Sequence, residues 1–302
     1  MALRTWMAAG VAAACLLAPV TGVAQKLYAA SVRNISEGGT DNFGGSLYSV
    51  ALATGSATFI APIRLNGSLP LGITGLAVHP TSGVFYGITS PLSRNNPLTL
   101  VTVDPVSGDA RMIGPLKLGG SDISFNRAGI LFTWLPETSQ LGVVNLDTGN
   151  VTPIGEPRPA GPPAGLAIDA DSNAFITPKG ATGTLDTVDI ATGVVKTGPA
   201  LSGAPFDSTI NSMTFTPSGL LLAVNSNAGS PAATRLVTIN TGTGVVSNIG
   251  NLPDDTDGLA FAASPAKETS TPVDWRSIAL IVLGAIALVI ALVAWRVGAK
   301  AK

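Results

Sequence analysis

Gly75-Leu76-Ala77-Val78, followed by Leu100-Val101-Thr102-Val103-Asp104 and the turn Pro105-Val106-Ser107-Gly108, is the stretch that decides the fold. The same phrase returns imperfectly along the chain. Asp122-Ile123-Ser124-Phe125 precedes Leu141-Gly142-Val143-Val144-Asn145 and Thr148-Gly149; Gly165-Leu166-Ala167-Ile168 precedes Leu185-Asp186-Thr187-Val188-Asp189 and Thr192-Gly193. Ser212-Met213-Thr214-Phe215 precedes Leu236-Val237-Thr238-Ile239-Asn240 and Thr243-Gly244, and a last opening, Gly258-Leu259-Ala260-Phe261, has nothing after it. Ala77, Ser124, Ala167, Thr214 and Ala260 are equivalent positions, 47, 43, 47 and 46 residues apart. A period in the forties, made of short β-type runs and Gly turns, is the pattern of a β-propeller with one four-stranded blade per repeat. The expected fold is therefore all-β, a five-bladed propeller of four-stranded antiparallel blades.

Within one unit, Ile73–His79 reads as strand a, Val84–Thr89 as b, Leu98–Asp104 as c and Ala110–Ile113 as d, with tight turns at residues 80–83 and 105–108. Gly at the end of each turn supplies the positive φ that closes it. The first unit starts directly at strand b, Leu27-Tyr28-Ala29-Ala30, and the last stops after strand a. The two fragments are expected to complete each other. The C-terminal strand then closes the ring and removes the exposed sheet edges.

Both ends carry apolar segments. Arg4, the apolar stretch Met7–Leu17 and Gly22-Val23-Ala24 read as a secretory signal, residues 1–24, cut after Ala24. The only cysteine, Cys15, lies inside it, so the mature body is expected to hold no disulfide. Ala12-Ala13-Ala14-Cys15 matches a lipoprotein box only in part, lacking Leu three residues before the Cys. After the propeller (25–264) and a linker (265–275), Ile278–Ala294 is an unbroken apolar run flanked by Trp275 and Trp295. It predicts a transmembrane helix over 276–296, with a basic tail at 297–302 kept cytoplasmic by Arg296, Lys300 and Lys302. The expected location is the cell membrane, single-pass, with the body periplasmic or at the cell surface. Thr271-Pro272-Val273-Asp274-Trp275 leaves a processed sorting tail as the alternative.

Charged residues are only 12% of the chain, whereas Gly numbers 35 and Pro 22, a balance that fits turn-rich sheet and excludes coiled coils. Setting aside Arg4, Asp274, Arg276, Arg296, Lys300 and Lys302 leaves 12 basic against 17 acidic residues, a body charge near −5. Nucleic acid, which needs a basic patch, is thereby excluded as a partner.

The Gly-Leu-Ala openings, the Leu47-Tyr48 and Phe85-Tyr86 pairs and the Asp-x-x-Thr-Gly endings resemble bacterial propeller repeats of the NHL and YVTN type over about residues 26–264. Ile130-Leu131-Phe132-Thr133-Trp134 and Ala174-Phe175-Ile176-Thr177 depart from the pattern, the latter lacking its Tyr. The resemblance implies the fold and no single activity, since such propellers serve as binding scaffolds, enzymes and surface components alike. The expectation is a binding or interaction scaffold that takes a protein or carbohydrate ligand. The alternatives are a metal-dependent hydrolase or lactonase using the channel, and a structural envelope protein.

No catalytic constellation stands out. His79, the only histidine, sits at a turn entrance, and without further His or Cys neither zinc nor copper has a ligand set. Asp169-Ala170-Asp171-Ser172-Asn173 copies the start of a calcium loop but lacks its Gly and closing Glu, and reads as an Asx turn. The cofactor expectation is none, with calcium the one candidate metal at Asp122, Asp254, Asp255 and Asp257, aided by Asn211, around the channel mouth. The sequons at Asn34, Asn66 and Asn150 are expected to carry no sugar. The a–b and c–d turns share one face and are short; the b–c and d–a loops share the other and are long. Function is expected on the long-loop face, with Arg33, Asn34, Glu37, Asp41, Arg64, Arg94, Arg158 and Asp207 as its accessible polar groups and the short turns toward the bilayer.

Overall fold

The computed structural model describes residues 25–33, 44–178, 183–203, 209–227 and 233–263. All belong to one compact unit, Met1–Ser264. The expected signal 1–24, linker 265–275, span 276–296 and tail 297–302 lie outside the described residues. Among the described residues no helix is long and apolar enough to cross a membrane.

The chain forms five antiparallel sheets arranged as blades. The first unit supplies β1 (Gln25–Ser31), β2 (Ser46–Val50) and β3 (Ala57–Pro62); a short hairpin, β4 (Arg64–Leu65) and β5 (Leu69–Pro70), follows. Blade two holds β6 (Ile73–Val78), β7 (Phe85–Thr89), β8 (Thr99–Val103) and β9 (Asp109–Pro115). Blade three holds β10 (Ile123–Phe125), β11 (Leu131–Leu135), β12 (Gln140–Val144) and β13 (Val151–Ile154); blade four holds β14 (Ala164–Ile168), β15 (Ala174–Pro178), β16 (Asp186–Val188) and β17 (Val195–Lys196). Blade five holds β18 (Thr209–Phe215), β19 (Leu221–Asn227), β20 (Ala233–Ile239) and β21 (Val246–Asn251), and β22 (Thr256–Ala263) ends the series.

β22 pairs with β1, from Gln25 opposite Ala263 to Ser31 opposite Thr256, so the first sheet runs β22-β1-β2-β3 and the ring is closed as the repeat pattern requires. One element was not anticipated. Pro62–Gly72, read as a plain loop, folds into the β4–β5 hairpin, and β4 adds in parallel to β9, making blade two six-stranded.

Burial follows strand rank. Inner strands are buried on both faces, as in Ala164–Ile168, whereas outer strands are partly open to water, as in Val151–Ile154. One apolar cluster fills each interface between neighbouring blades. Ile73 and Phe85 meet Ala30 and Leu47; Ile123 and Leu131 meet Ile88 and Leu100; Leu166 and Ile176 meet Phe132 and Leu141. Ile210 and Met213 meet Ala167 and Leu185, and Leu222 and Leu236 meet Leu27 and Leu259. Each fully buried Leu or Ile contributes about 1.5–3 kcal/mol. Tyr86 packs edge-on against Phe125 of the next blade, 5.4 Å between centroids, and Phe175 meets Phe215 of the next blade in a tilted arrangement at 5.5 Å. The aromatic in strand b is thus an interblade contact.

The Thr-Gly and Ser-Gly turns have a second role besides reversing the chain. Asp104 Oδ1 accepts the N–H groups of Val106 and Ser107, both at 2.8 Å, and Asn145, Asp189 and Asn240 make the same pair of bonds in blades three to five. Those backbone donors hold the Asp104 and Asp189 carboxyls below the usual carboxylate range. Each turn ends on a left-handed glycine, and a Cβ there would collide with the end of the preceding blade's outer strand or the connection just beyond it. Gly108 meets Pro62, Gly149 meets Gly114, Gly193 meets Ile154, Gly244 meets Ala200 and Gly55 meets Gly250. The turn glycine is therefore an interblade joint, which explains why it recurs even where the rest of the unit drifts.

Candidate functional site

With Ala77, Ser124, Ala167, Thr214 and Ala260 equivalent, the residues two places earlier form the innermost ring: Gly75, Asp122, Gly165, Ser212 and Gly258. Three glycines leave room at the axis, and the Asp122 carboxylate occupies it. Its Oδ1 accepts the Ile123 N–H at 2.9 Å and the Ser212 hydroxyl at 3.0 Å; its Oδ2 accepts the Leu166 N–H at 2.9 Å and the Met213 N–H at 3.1 Å. Ser212 Oγ in turn accepts the Leu259 N–H at 3.1 Å, and a Cβ on Gly75 would press on Asp122 itself. Asp122 and Ser212 together thereby tie or touch all five blades. Asp122 is fully buried, and that burial pushes its carboxyl well above the ordinary range against the pull of the four donors.

Four donors fill the roughly four acceptor positions of a carboxylate, so Asp122 has no open coordination for a hard cation. The other acids of the expected calcium set are dispersed. Asp254 is exposed, and Asp255 turns the chain at φ 59° while its carbonyl accepts the Val32 N–H at 2.9 Å. Asp257 accepts the Thr74 hydroxyl on Oδ2 at 2.6 Å. Among the described residues, no three His, Cys, Asp or Glu side chains gather as a metal site. Asp169 Oδ1 accepts the Asp171 and Asn173 N–H groups at 2.9 and 2.8 Å, the Asx turn that its sequence suggested.

Above this plug, on the long-loop face, lies a cleft of about 880 Å³. Its walls come from the b–c loops of blades two and three and the d–a connections that follow them: Leu92, Leu98, Leu118, Pro136, Pro157 and Pro163. Thr74, Ser121, Asn211 and Asp257, at the starts of inner strands, form the floor, and Lys117 and Glu137 add the charges of the walls. Leu92 and Leu118 are 56% and 46% exposed. The wall from Ser90 to Leu98 is braced: Thr89 Oγ1 donates to the Asn96 carbonyl at 2.5 Å, Ser93 Oγ to the Asn95 carbonyl at 2.9 Å, and Asn95 Nδ2 to the Pro70 carbonyl at 3.2 Å. Leu98 is held at φ 49°, a conformation that costs a bulky residue about 1–2 kcal/mol.

The arginines singled out from the sequence do not line this cleft. Arg64 belongs to β4 on the outer edge of blade two, its backbone N–H bonded to the Gly108 carbonyl at 3.2 Å and its side chain reaching the Ser68 carbonyl at 3.5 Å. Arg158 is half-buried; its guanidinium donates to the Ser139 carbonyl and lies 5.7 Å from the Trp134 ring centroid. Arg33 and Arg94 are exposed, and Asn34, Glu37, Asp41 and Asp207 lie outside the described residues. Lys117, Glu137 and the exposed leucines went unnoticed. Their sole local signal was leucine placed inside Pro- and Gly-rich loops, as in Pro91-Leu92 and Lys117-Leu118-Gly119-Gly120.

No family model and no curated protein matches the chain. Among solved structures, the chain is similar to one from the crystal structure of a nidogen/laminin complex, at 13% identity and a TM-score of 0.51, covering 80% of this chain and 99% of that one. TolB from Acinetobacter baumannii matches at 17% identity and a TM-score of 0.48, over 76% of this chain and 54% of that one. At such identities the likeness establishes the fold: this chain is a β-propeller.

Proposed function

We propose that the protein is a membrane-anchored, extracytoplasmic binding module, of the NHL/YVTN kind of propeller, whose protein partner seats in the cleft on the long-loop face. The observation that carries this reading is the pair of half-exposed leucines, Leu92 and Leu118, that line the same proline-rich cleft. Keeping apolar side chains in water is unfavourable in the free protein, and that cost is offset when an apolar partner covers them. The cleft's described lining contains no aromatic ring on which a sugar could stack, which favours protein over carbohydrate. The channel gives the hydrolase reading no support, because its central acid is consumed by the fold. Export and anchoring rest on the sequence pattern of residues 1–24 and 276–296. One of the solved structures that this chain resembles over most of its length comes from a complex of two proteins, nidogen and laminin, which fits the same role.

A random peptide library panned against the purified protein tests the reading. Selected peptides should lose binding to a Leu92→Asp/Leu118→Asp variant whose melting temperature is unchanged. Peptides that bind both proteins equally would place the site elsewhere.

A further inference from the structure

The short-turn face, opposite the cleft, carries apolar side chains that no blade interface covers. Val84, Ile130 and Leu220 each follow the left-handed glycine of an a–b turn and stand exposed in blades two, three and five. The c–d turns add Val106, 80% exposed, and Val194, 64% exposed. The turn motif asks for neither valine. Val106 stands where the other blades have Ala53, Asp147, Ala191 and Gly242, and Val194 where blades one to three have Ser56, Asp109 and Asn150. Both ends of the ring open on this same face, because Gln25, the first residue of β1, pairs with Ala263, the last of β22. Twelve residues, 264–275, then separate Ala263 from the apolar run that the sequence reads as a membrane span. Fully extended they reach about 40 Å, so the face stays near whatever buries that run. Arg127 is the one lysine or arginine in the short turns, against Asp104, Asp147, Asp169, Asp171 and Asp189.

Resting on the anchoring part of the reading above, we propose that the short-turn face is a foot that lies on a bilayer of neutral, zwitterionic lipid and sets its exposed aliphatic side chains into the headgroup layer. An apolar side chain at that boundary leaves water, and attachment strengthens with the area so buried. The turn acids decide the lipid class: an anionic surface repels them, whereas a zwitterionic one carries no net charge and offers them its ammonium groups. Each contact is weak, and the short tether makes weak contacts sufficient by keeping the effective concentration of lipid at the face high. The cleft, on the opposite face, is thereby held open to partners outside.

The test reconstitutes the full-length chain, carrying Cys15→Ser, into vesicles of phosphatidylcholine brominated near the headgroup. A bimane fluorophore is attached to a single cysteine introduced as Val106→Cys, Val194→Cys or, on the opposite face, Leu92→Cys. Bimane at positions 106 and 194 should lose about half or more of its emission and bimane at 92 none. Mixing in brominated phosphatidylglycerol should weaken the quenching at 106 and 194. Val245→Cys, also on an exposed valine of this face, replaces either site whose variant melts below the native temperature. If the protein floats with the vesicles but positions 106 and 194 are quenched no more than 92, the anchor stands and the foot is wrong. If anionic lipid deepens the quenching, the assignment to zwitterionic lipid is overturned. If the protein does not float with the vesicles, anchor and foot fall together.

Discussion

On one face of the ring the c–d turns are near copies, each closed by a glycine wedged against the blade before it; on the other face no two loops are alike. The repetitive face is bound to its neighbours at every blade, so its sequence is fixed by the need to fit backbone against backbone. The irregular face has no such obligation. It carries the half-exposed Leu92 and Leu118 and a leucine at positive φ, beside an acid, Asp257, that accepts the Thr74 hydroxyl of the next blade. Repetition marks what holds this molecule together, and departure from repetition marks what is available to bind.

The largest test of that contrast removes the closure. Deleting Thr256–Ala263 strips β1 of its inner partner and opens the interfaces it shares with blades two and five, and the cooperative melt should vanish. A truncated protein that melts cooperatively at the native temperature would show that the ring does not need it.

Next in size is the axis. An amide at position 122 keeps one oxygen, and with its NH2 on the Oδ1 side it leaves the buried Ile123 N–H unpaired while the Ser212 hydroxyl can turn to accept, at a cost of about 1–3 kcal/mol, so Asp122→Asn should lower the denaturant midpoint. The loss should depend on pH. Because burial raises the folded-state pKa, the Asp122 contribution is fullest below the unfolded value of about 3.9 and declines as pH rises through the raised pKa. The gap between native and Asp122→Asn midpoints should be widest near the acid end and narrow toward neutrality. A gap indifferent to pH would show that the four donors cancel the effect of burial.

The turn joint can be separated from the turn itself by two alanine substitutions. Gly83 and Gly149 both have left-handed φ, 70° and 74°, but a Cβ on Gly83 meets nothing within 4 Å whereas one on Gly149 meets the Gly114 carbonyl. Gly83→Ala should cost about 1 kcal/mol and Gly149→Ala distinctly more, read as midpoints in urea. Equal costs would mean that the interblade joint yields freely. Smallest of all is a gain. Blade one has Ala51 where the other blades have Asp104, Asn145, Asp189 and Asn240, so Ala51→Asp supplies the missing turn acceptor and should stabilise by about 0.5–1 kcal/mol. No change in midpoint would show that the Thr54–Ser56 hydroxyl pair already does that work.

The ring was legible because its determinants are local and repeated: a Gly after Thr or Ser, an Asx four residues earlier, a Gly-Leu-Ala opening. Asp122 was noticed but set at the channel mouth with Thr74 and Asn211, when the spacing to Ser124 aligns it with Gly75, one residue deeper. In a strand one residue is the difference between two faces. Arg64 was misplaced because Arg64-Leu65 and Leu69-Pro70 are too short to show periodicity, and their pairing with β9 is a tertiary event. The cleft was illegible for a related reason. Its leucines, prolines and acid come from segments as distant as Thr74 and Asp257, which only closure of the ring brings together.

That closure also imposes an order on biosynthesis. The strand emerging first from the ribosome, β1, waits for the last, β22, across more than two hundred residues, and an innermost strand cannot be added from outside once its neighbours have packed. A nascent chain short of Thr256 holds four repeats and a first blade of three strands, β1 to β3, whose inner edge stays open until β22 arrives. Late insertion of β22 makes completeness a condition of folding. Truncated products should stay accessible to proteases, which gives the cell a means of discarding unfinished copies before they can occupy a partner.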